Sequence, residues 1–238
     1  IFNLYDPGSE LSRLNLARQG EVSVEMAQVL ALALDLCARF DGPYDISHGK
    51  RFLARKQGQS EPAVGGSFRD IALLGREVSL RHPDLLLDLG SLAKGYVVDR
   101  LFAWLEARGV GDAFIDARGD MRIAGRHTEF IGIQDPRGPE TLGRPIRMKD
   151  LAVATSGDYS QYIGDFTKSH LVGKRSFCSA TIIASRLDLA DALATAAMVS
   201  PLEKTRGVFE AFPECSALLV EPSGRTTSLG GFDRHLEM

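Results

Sequence analysis

Several things are scarce in these 238 residues, and each scarcity closes off a class of explanation. Cysteine occurs three times, at Cys37, Cys178 and Cys215, widely separated, odd in number and without a Cys-x-x-Cys pair. Such spacing indicates neither a zinc site nor a complete disulfide framework. Positive charge is not in excess: 28 Lys and Arg stand against 31 Asp and Glu, a formal net charge of −3, and no cluster of cations forms a stripe. That balance argues against a general nucleic-acid binder or a binder of anionic membranes, while leaving local anion sites open. No uninterrupted apolar run reaches the length of a bilayer span, and no signal-peptide pattern is found. The P-loop and the dinucleotide fingerprint Gly-x-Gly-x-x-Gly are missing, as is a Gly-x-Ser-x-Gly elbow around Ser156. What is present is an ordinary globular composition, 44% hydrophobic and 25% charged, enough for one large domain or two intimately packed lobes.

Read in order, the chain alternates single helices with groups of short strands. Tyr5-Asp6-Pro7-Gly8 is a turn signal, and the following Ser9 to Asn15 reads as surface turn. Ser23 is a fitting N-cap for a helix whose Met26, Val29, Leu30, Ala33, Leu34 and Cys37 share one face, stopped by Asp41-Gly42-Pro43. The glycine-, serine- and proline-bearing segment 57–67 is a loop. Short strands are expected at 71–74, 78–80 and 85–89, then at 113–115 and 121–124, with 130–133 continuing the same sheet. Later come a strand entering Thr155-Ser156-Gly157, a helix over 203–212 and a strand at 217–220. The pattern predicts an α+β or mixed α/β architecture.

Two stretches carry chemistry. Thr181 to Ser200 reads as a buried strand running into a helix centred on Asp191-Ala-Leu-Ala-Thr195. Asp191 and Thr195 are four apart, so their oxygens share a face. Their Ala, Leu, Met and Val neighbours bury the helix nearly all round, and a buried carboxylate needs a partner: a cation, backbone N–H groups or a hard metal ion. From this helix alone a packing role ranks ahead of a metal site. Asp88 to Asp99 is the second stretch, a strand, a glycine-bearing turn at Gly90 and a helix start at Ala93-Lys94-Gly95. Glycines there let a ligand approach the backbone, and free N–H groups at a helix start favour phosphate. Taken bare, such a turn is more often a tight connection.

Four stretches together resemble the ApbE family of FAD:protein FMN transferases. Ser9-Glu10-Leu11-Ser12-Arg13-Leu14-Asn15 is similar to the family's Ser-Glu-Leu-Ser-x-Leu-Asn, and Asp88 to Asp99 to its Asp-Leu-Gly-Gly-x-Ala-Lys-Gly-Tyr-x-x-Asp, with Ser91 in place of a glycine. Ala154 to Tyr159 matches Ala-Thr-Ser-Gly-Asp-Tyr, and Leu189 to Ala196 matches the family's Ala-Asp-Ala-Leu-Ala-Thr-Ala helix. The resemblance implies a single α+β domain over 1–238, with mixed sheets and packed helices related to the T-fold. It also implies Mg²⁺-dependent transfer of the FMN moiety of FAD to a threonine of an acceptor protein, with AMP leaving. By the same resemblance Asp191, Thr195 and the Ala93 carbonyl would hold Mg²⁺, His170 would take the acceptor's proton, and Asp88, Gly90, Lys94, Asp120, Ser156 and Gly157 would contact phosphate or flavin. A periplasmic or membrane-anchored setting is the family's habit.

The chain departs from the family pattern in places. His170 is followed by Leu171-Val172-Gly173-Lys174-Arg175-Ser176 rather than Ile-x-Asp-Pro-Arg-Thr-Gly, and Arg118 stands in Asp116-Ala117-Arg118-Gly119-Asp120 where a small residue is expected. The family's N-terminal strand is not found ahead of Ile1. Two other readings therefore stand beside transfer: hydrolysis of FAD to FMN and AMP, and flavin binding without catalysis.

Overall fold

The computed structural model describes residues 1–138, 143–157 and 176–237. Its contacts divide the chain into two compact units, which part at Ala93 and Lys94. No helix among the described residues is long and apolar enough to cross a membrane.

The first unit begins with α1 (Glu10–Ala17), capped by the Ser9 hydroxyl, which accepts from Ser12 N–H at 3.0 Å. The turn expected here is thus a helix, with Leu11, Leu14 and Asn15 buried at one-turn spacing. Strand β1 (Gln19–Glu21) leads to α2 (Val24–Phe40), where the expected Ser23 cap accepts from Met26 N–H at 3.1 Å. Its buried face holds the expected Met26, Val29, Leu30, Ala33 and Cys37, and also Leu36 and Phe40. Asp41 ends it in the left-handed conformation, φ 45°. Helix α3 (Gly49–Lys56) was not foreseen; it has no acid in its first turn and no side-chain cap. Strands β2 (Ile71–Leu74) and β3 (Glu77–Leu80) form with β1 an antiparallel sheet in the order β1-β3-β2.

Residues 85–89 are not a strand, a correction with a simple cause. Leu85, Leu87 and Leu89 alternate into the core as a strand's side chains would. The backbone bonds instead go to irregular partners: Leu86 N–H to Ser47 O, Asp88 N–H to Ile46 O, and Leu87 to both ends of the Asn15 amide, at 2.7 and 3.0 Å.

The second unit holds α4 (Ala93–Glu106) from Lys94 on, β4 (Ala113–Ala117), β5 (Asp120–Ala124), β6 (Glu129–Ile131), β7 (Ile146–Met148), β8 (Ala152–Gly157), β9 (Ser179–Ala184), α5 (Leu187–Val199), α6 (Leu202–Glu210), β10 (Ser216–Val220) and β11 (Thr226–Leu229). Six of these strands form one antiparallel sheet, β11-β10-β9-β8-β5-β4. Strand β6 does not continue that sheet, the arrangement expected from sequence, but among the described residues pairs with β7. The β4–β5 connection is a two-residue turn, Arg118-Gly119, at φ 62° and 93°. Positive φ at both positions is what a type I′ hairpin turn demands.

Register divides the large sheet into two faces. Val153 lies opposite Ile183, and these two with Ile123, Leu218 and Phe232 belong to one buried cluster. The alternate residues, Ala152, Ala154 and Ser156 on β8 and Ala180, Ile182 and Ala184 on β9, line the other face, on which α5 packs. Small side chains there let an alanine-rich helix lie close, and every α5 residue except Thr195 is buried.

Candidate active site

The site grows from the meeting of two helix beginnings above β5 and β8. Asp191 lies one turn into α5 and keeps 6% of its surface exposed. Among the described residues one hydrogen bond reaches its carboxylate, from Gly95 N–H to Oδ2 at 3.2 Å. That N–H belongs to the first turn of α4, where Ala93 N–H goes to Leu89 O at 3.0 Å and Gly95 N–H turns to the carboxylate instead. Residue 95 must be small, because a Cβ would stand 2.6 Å from Asp188 N and closer still to the Leu187 carbonyl oxygen.

Next to Gly95, Lys94 pairs its ammonium with Asp120 Oδ2. Asp120 starts β5, keeps 3% of its surface exposed, and also accepts from Thr155 N–H at 3.2 Å. Burial pushes the Asp120 carboxyl above its ordinary range, with Lys94 opposing the shift. Asp191 is pushed further, to about 8, by burial first and then by the neighbouring Asp120 charge, against the attraction of Lys94. Two carboxylates share one ammonium, and the second is left short of positive charge. Thr195 Oγ1, one turn along α5, is 3.1 Å from Ser156 Oγ on β8.

The structure therefore brings together Lys94, Asp120, Ser156, Asp191 and Thr195, with Gly157 closing β8, paired opposite Ser179. Ala93 is the first residue of α4. Asp88 and Gly90 lie in the first unit, where Asp88 Oδ1 accepts from Gly90 N–H at 3.0 Å and burial raises the Asp88 carboxyl. Ser91, in its glycine's place, has its hydroxyl 2.7 Å from Tyr44 Oη. Arg118 is exposed on the hairpin turn. His170, named as the proton acceptor, lies outside the described residues. No cluster of three or more His, Cys, Asp or Glu suited to a metal ion occurs among the described residues.

Sequence reasoning placed Thr155 in the turn beside Ser156 and Asp99 at the end of the second motif, but gave neither a role of its own. Thr155 acts through its backbone, which no residue type announces. Asp99 closes the second motif and its carboxylate accepts from Leu187 and Asp188 N–H at 3.1 and 2.9 Å. Its distance from α5 in sequence hid the contact.

Chemically, the arrangement offers a desolvated carboxylate and a hydroxyl one turn away. This is a donor set of hard oxygens, which suits a hard divalent cation that retains some of its own ligands.

Comparison with known proteins identifies the family. The model of the ApbE family matches residues 1–219. A FAD:protein FMN transferase of Rhodobacter capsulatus is 28% identical over 228 residues, covering 84% of this chain and 43% of its own length. One of Treponema pallidum is 31% identical over 178 residues, covering 65% and 49%. The chain thus spans less than half the length of these two curated relatives. Among solved structures, the ApbE protein of Thermotoga maritima superposes with a TM-score of 0.86 at 25% identity, over 100% of this chain and 86% of that one. The flavin transferase ApbE of Vibrio cholerae gives 0.83 at 25% identity, over 99% and 85%. With the matched family model covering most of its residues, this chain belongs to the ApbE family.

Proposed function

We propose that the protein is a flavin transferase that moves the FMN moiety of FAD onto a threonine of an acceptor protein, releasing AMP, with Mg²⁺ bound at Asp191. The observation that carries the reading is the buried Asp191 carboxylate, raised to about 8 and holding one N–H partner among the described residues. A group so placed is costly unless a cation joins it. Asp191, the Thr195 hydroxyl and the Ala93 carbonyl would hold the ion, and such hard oxygen donors suit Mg²⁺. When bound, Mg²⁺ supplies charge neutralisation on the pyrophosphate oxygens.

This chain's own residues supply the rest. Lys94, half-exposed beside Asp120, would attract the diphosphate by charge, and Asp120 holds its ammonium at the start of α4. Ser156 and Gly157, with Asp88 and Gly90, are the proposed contacts to phosphate or flavin. His170 would accept the proton of the acceptor threonine as its oxygen attacks the FMN-side phosphorus, and AMP would depart with the electrons of the broken P–O bond. The four family motifs are shared between the two units, so we take 1–238 as one transferase domain.

One incubation tests this: the protein, FAD, Mg²⁺ and a threonine-bearing acceptor domain, followed by denaturing electrophoresis viewed by flavin fluorescence, with AMP measured alongside. A fluorescent acceptor band with matching AMP supports transfer. The altered segment after His170 favours one competing reading, hydrolysis, in which AMP and FMN form without the band. Neither product would leave a flavin-binding protein.

A further inference from the structure

We infer that Asp99 is a positioning residue for the transfer reaction: from α4 it caps the start of α5 and thereby holds the Asp191 carboxylate against the first turn of α4. The inference rests on the role proposed above for Asp191 and extends it to a residue that touches neither FAD nor metal in that reading.

Helix α5 has no cap of its own. Arg186 occupies the N-cap position in extended conformation, and its side chain makes no capping bond to the backbone N–H groups of the helix. The N–H groups of Leu187 and Asp188 are taken instead by the two oxygens of Asp99, one each, at 3.1 and 2.9 Å. One turn further along α5, Asp191 returns the favour by accepting from Gly95 N–H of α4. Gly95 and Asp99 are themselves four apart and so share a face of α4. Each helix start is thus capped by a carboxylate from the other, and the absent Cβ at Gly95 permits the approach.

A carboxylate serves here better than an amide. It offers two acceptor oxygens to two converging N–H groups, and its charge favours the positive end of a helix. Asp99 keeps 17% of its side chain exposed, and burial raises its carboxyl, opposed by those two N–H bonds and by Arg122, whose Nε is 3.6 Å away. Arg122 also donates to the Ser185 carbonyl just ahead of α5. Arg186 meanwhile forks onto Asp188 at 2.9 and 2.5 Å, keeping that acid from competing at the cap. Small displacements of a catalytic group are costly in rate, so the cap that sets the register of α5 sets the usefulness of Asp191.

The test compares Asp99→Ala and Asp99→Asn with Ser23→Ala, which removes a cap of similar strength from α2 in the other unit. Two quantities are read on the full chain: hydrogen exchange at the Gly95 amide, and Mn²⁺ binding followed by electron paramagnetic resonance without FAD. Asp99→Ala is expected to accelerate Gly95 exchange about tenfold, the worth of a lost cap. Half-saturating Mn²⁺ should rise by a similar factor, Asp99→Asn should fall between, and Ser23→Ala should move neither. Unchanged Gly95 exchange in Asp99→Ala overturns the inference. Should that variant fail to fold, Asp99→Asn, which keeps one acceptor oxygen, carries the same comparison. A wild-type protein that binds no Mn²⁺ would sink the metal reading proposed above, while the exchange result would still decide the positioning role.

Discussion

Helices α2 and α5 solve the same problem in opposite ways. Helix α2 is self-contained: Ser23 caps its start, Asp41 ends it, and one apolar stripe faces the core while the rest meets water. Helix α5 borrows its cap from Asp99, keeps only Thr195 partly open to solvent, and buries two acids, Asp188 and Asp191. The first is organised for stability and the second, on the function proposed above, for chemistry, which requires a group held where folding alone would not put it.

Breaking that contrast begins at Asp191. Asp191→Ala is expected to remove several kcal/mol of transition-state stabilisation, a loss of about 1000-fold or more in AMP formation. Its fold should remain intact by circular dichroism, and unchanged turnover would return α5 to a packing role. The pH dependence of stability comes next. Asp191 has a folded pKa of about 8 against an ordinary 3.8, so the folded state keeps a proton that the unfolded state releases. Stability from this group is complete below the unfolded value and is lost as pH rises through about 8. In metal-free buffer the urea midpoint should therefore fall between pH 5 and pH 8 in the wild type and fall less in Asp191→Asn.

Smaller effects belong to α2. Phe40→Ala, at a fully buried position, should cost about 3 kcal/mol or more in urea unfolding, with transfer per folded molecule unchanged. Ser23→Ala should cost about 1 kcal/mol in the same measurement. If either α2 change alters turnover more than it alters stability, the division of labour between the helices is wrong.

The same contrast explains what sequence could reveal. Helix α2 was legible because its cap, stop and stripe are all local. The apolar character of α5 and the Asp191–Thr195 spacing were equally readable, but the partner of Asp191 was not, since Gly95 and Asp120 reach it from distant parts of the chain. Helix α1 escaped because eight residues with Leu11 and Leu14 as their apolar pair give little periodicity. Segment 85–89 showed a strand's alternation without a strand's partners, and alternation reports burial, not pairing. For β6 the residues of a strand were visible, but which sheet it joins depends on β7, beyond a connection of several residues.

The Arg118-Gly119 turn has a consequence of parity. With two residues in the turn, Ala117 faces Asp120, and Asp120 and Arg122 point to the side of α4 and α5 while Met121 and Ile123 point to the buried cluster. Along a strand each side chain's direction is decided by odd or even count. Slipping β5 by one residue would send Asp120 into hydrocarbon and leave Lys94 without its carboxylate, whereas a slip of two would put another residue in its place on the same side. The loop between β4 and β5 is therefore constrained in length as well as in residue type, the first by the placing of Asp120 and the second by the positive φ at Arg118 and Gly119.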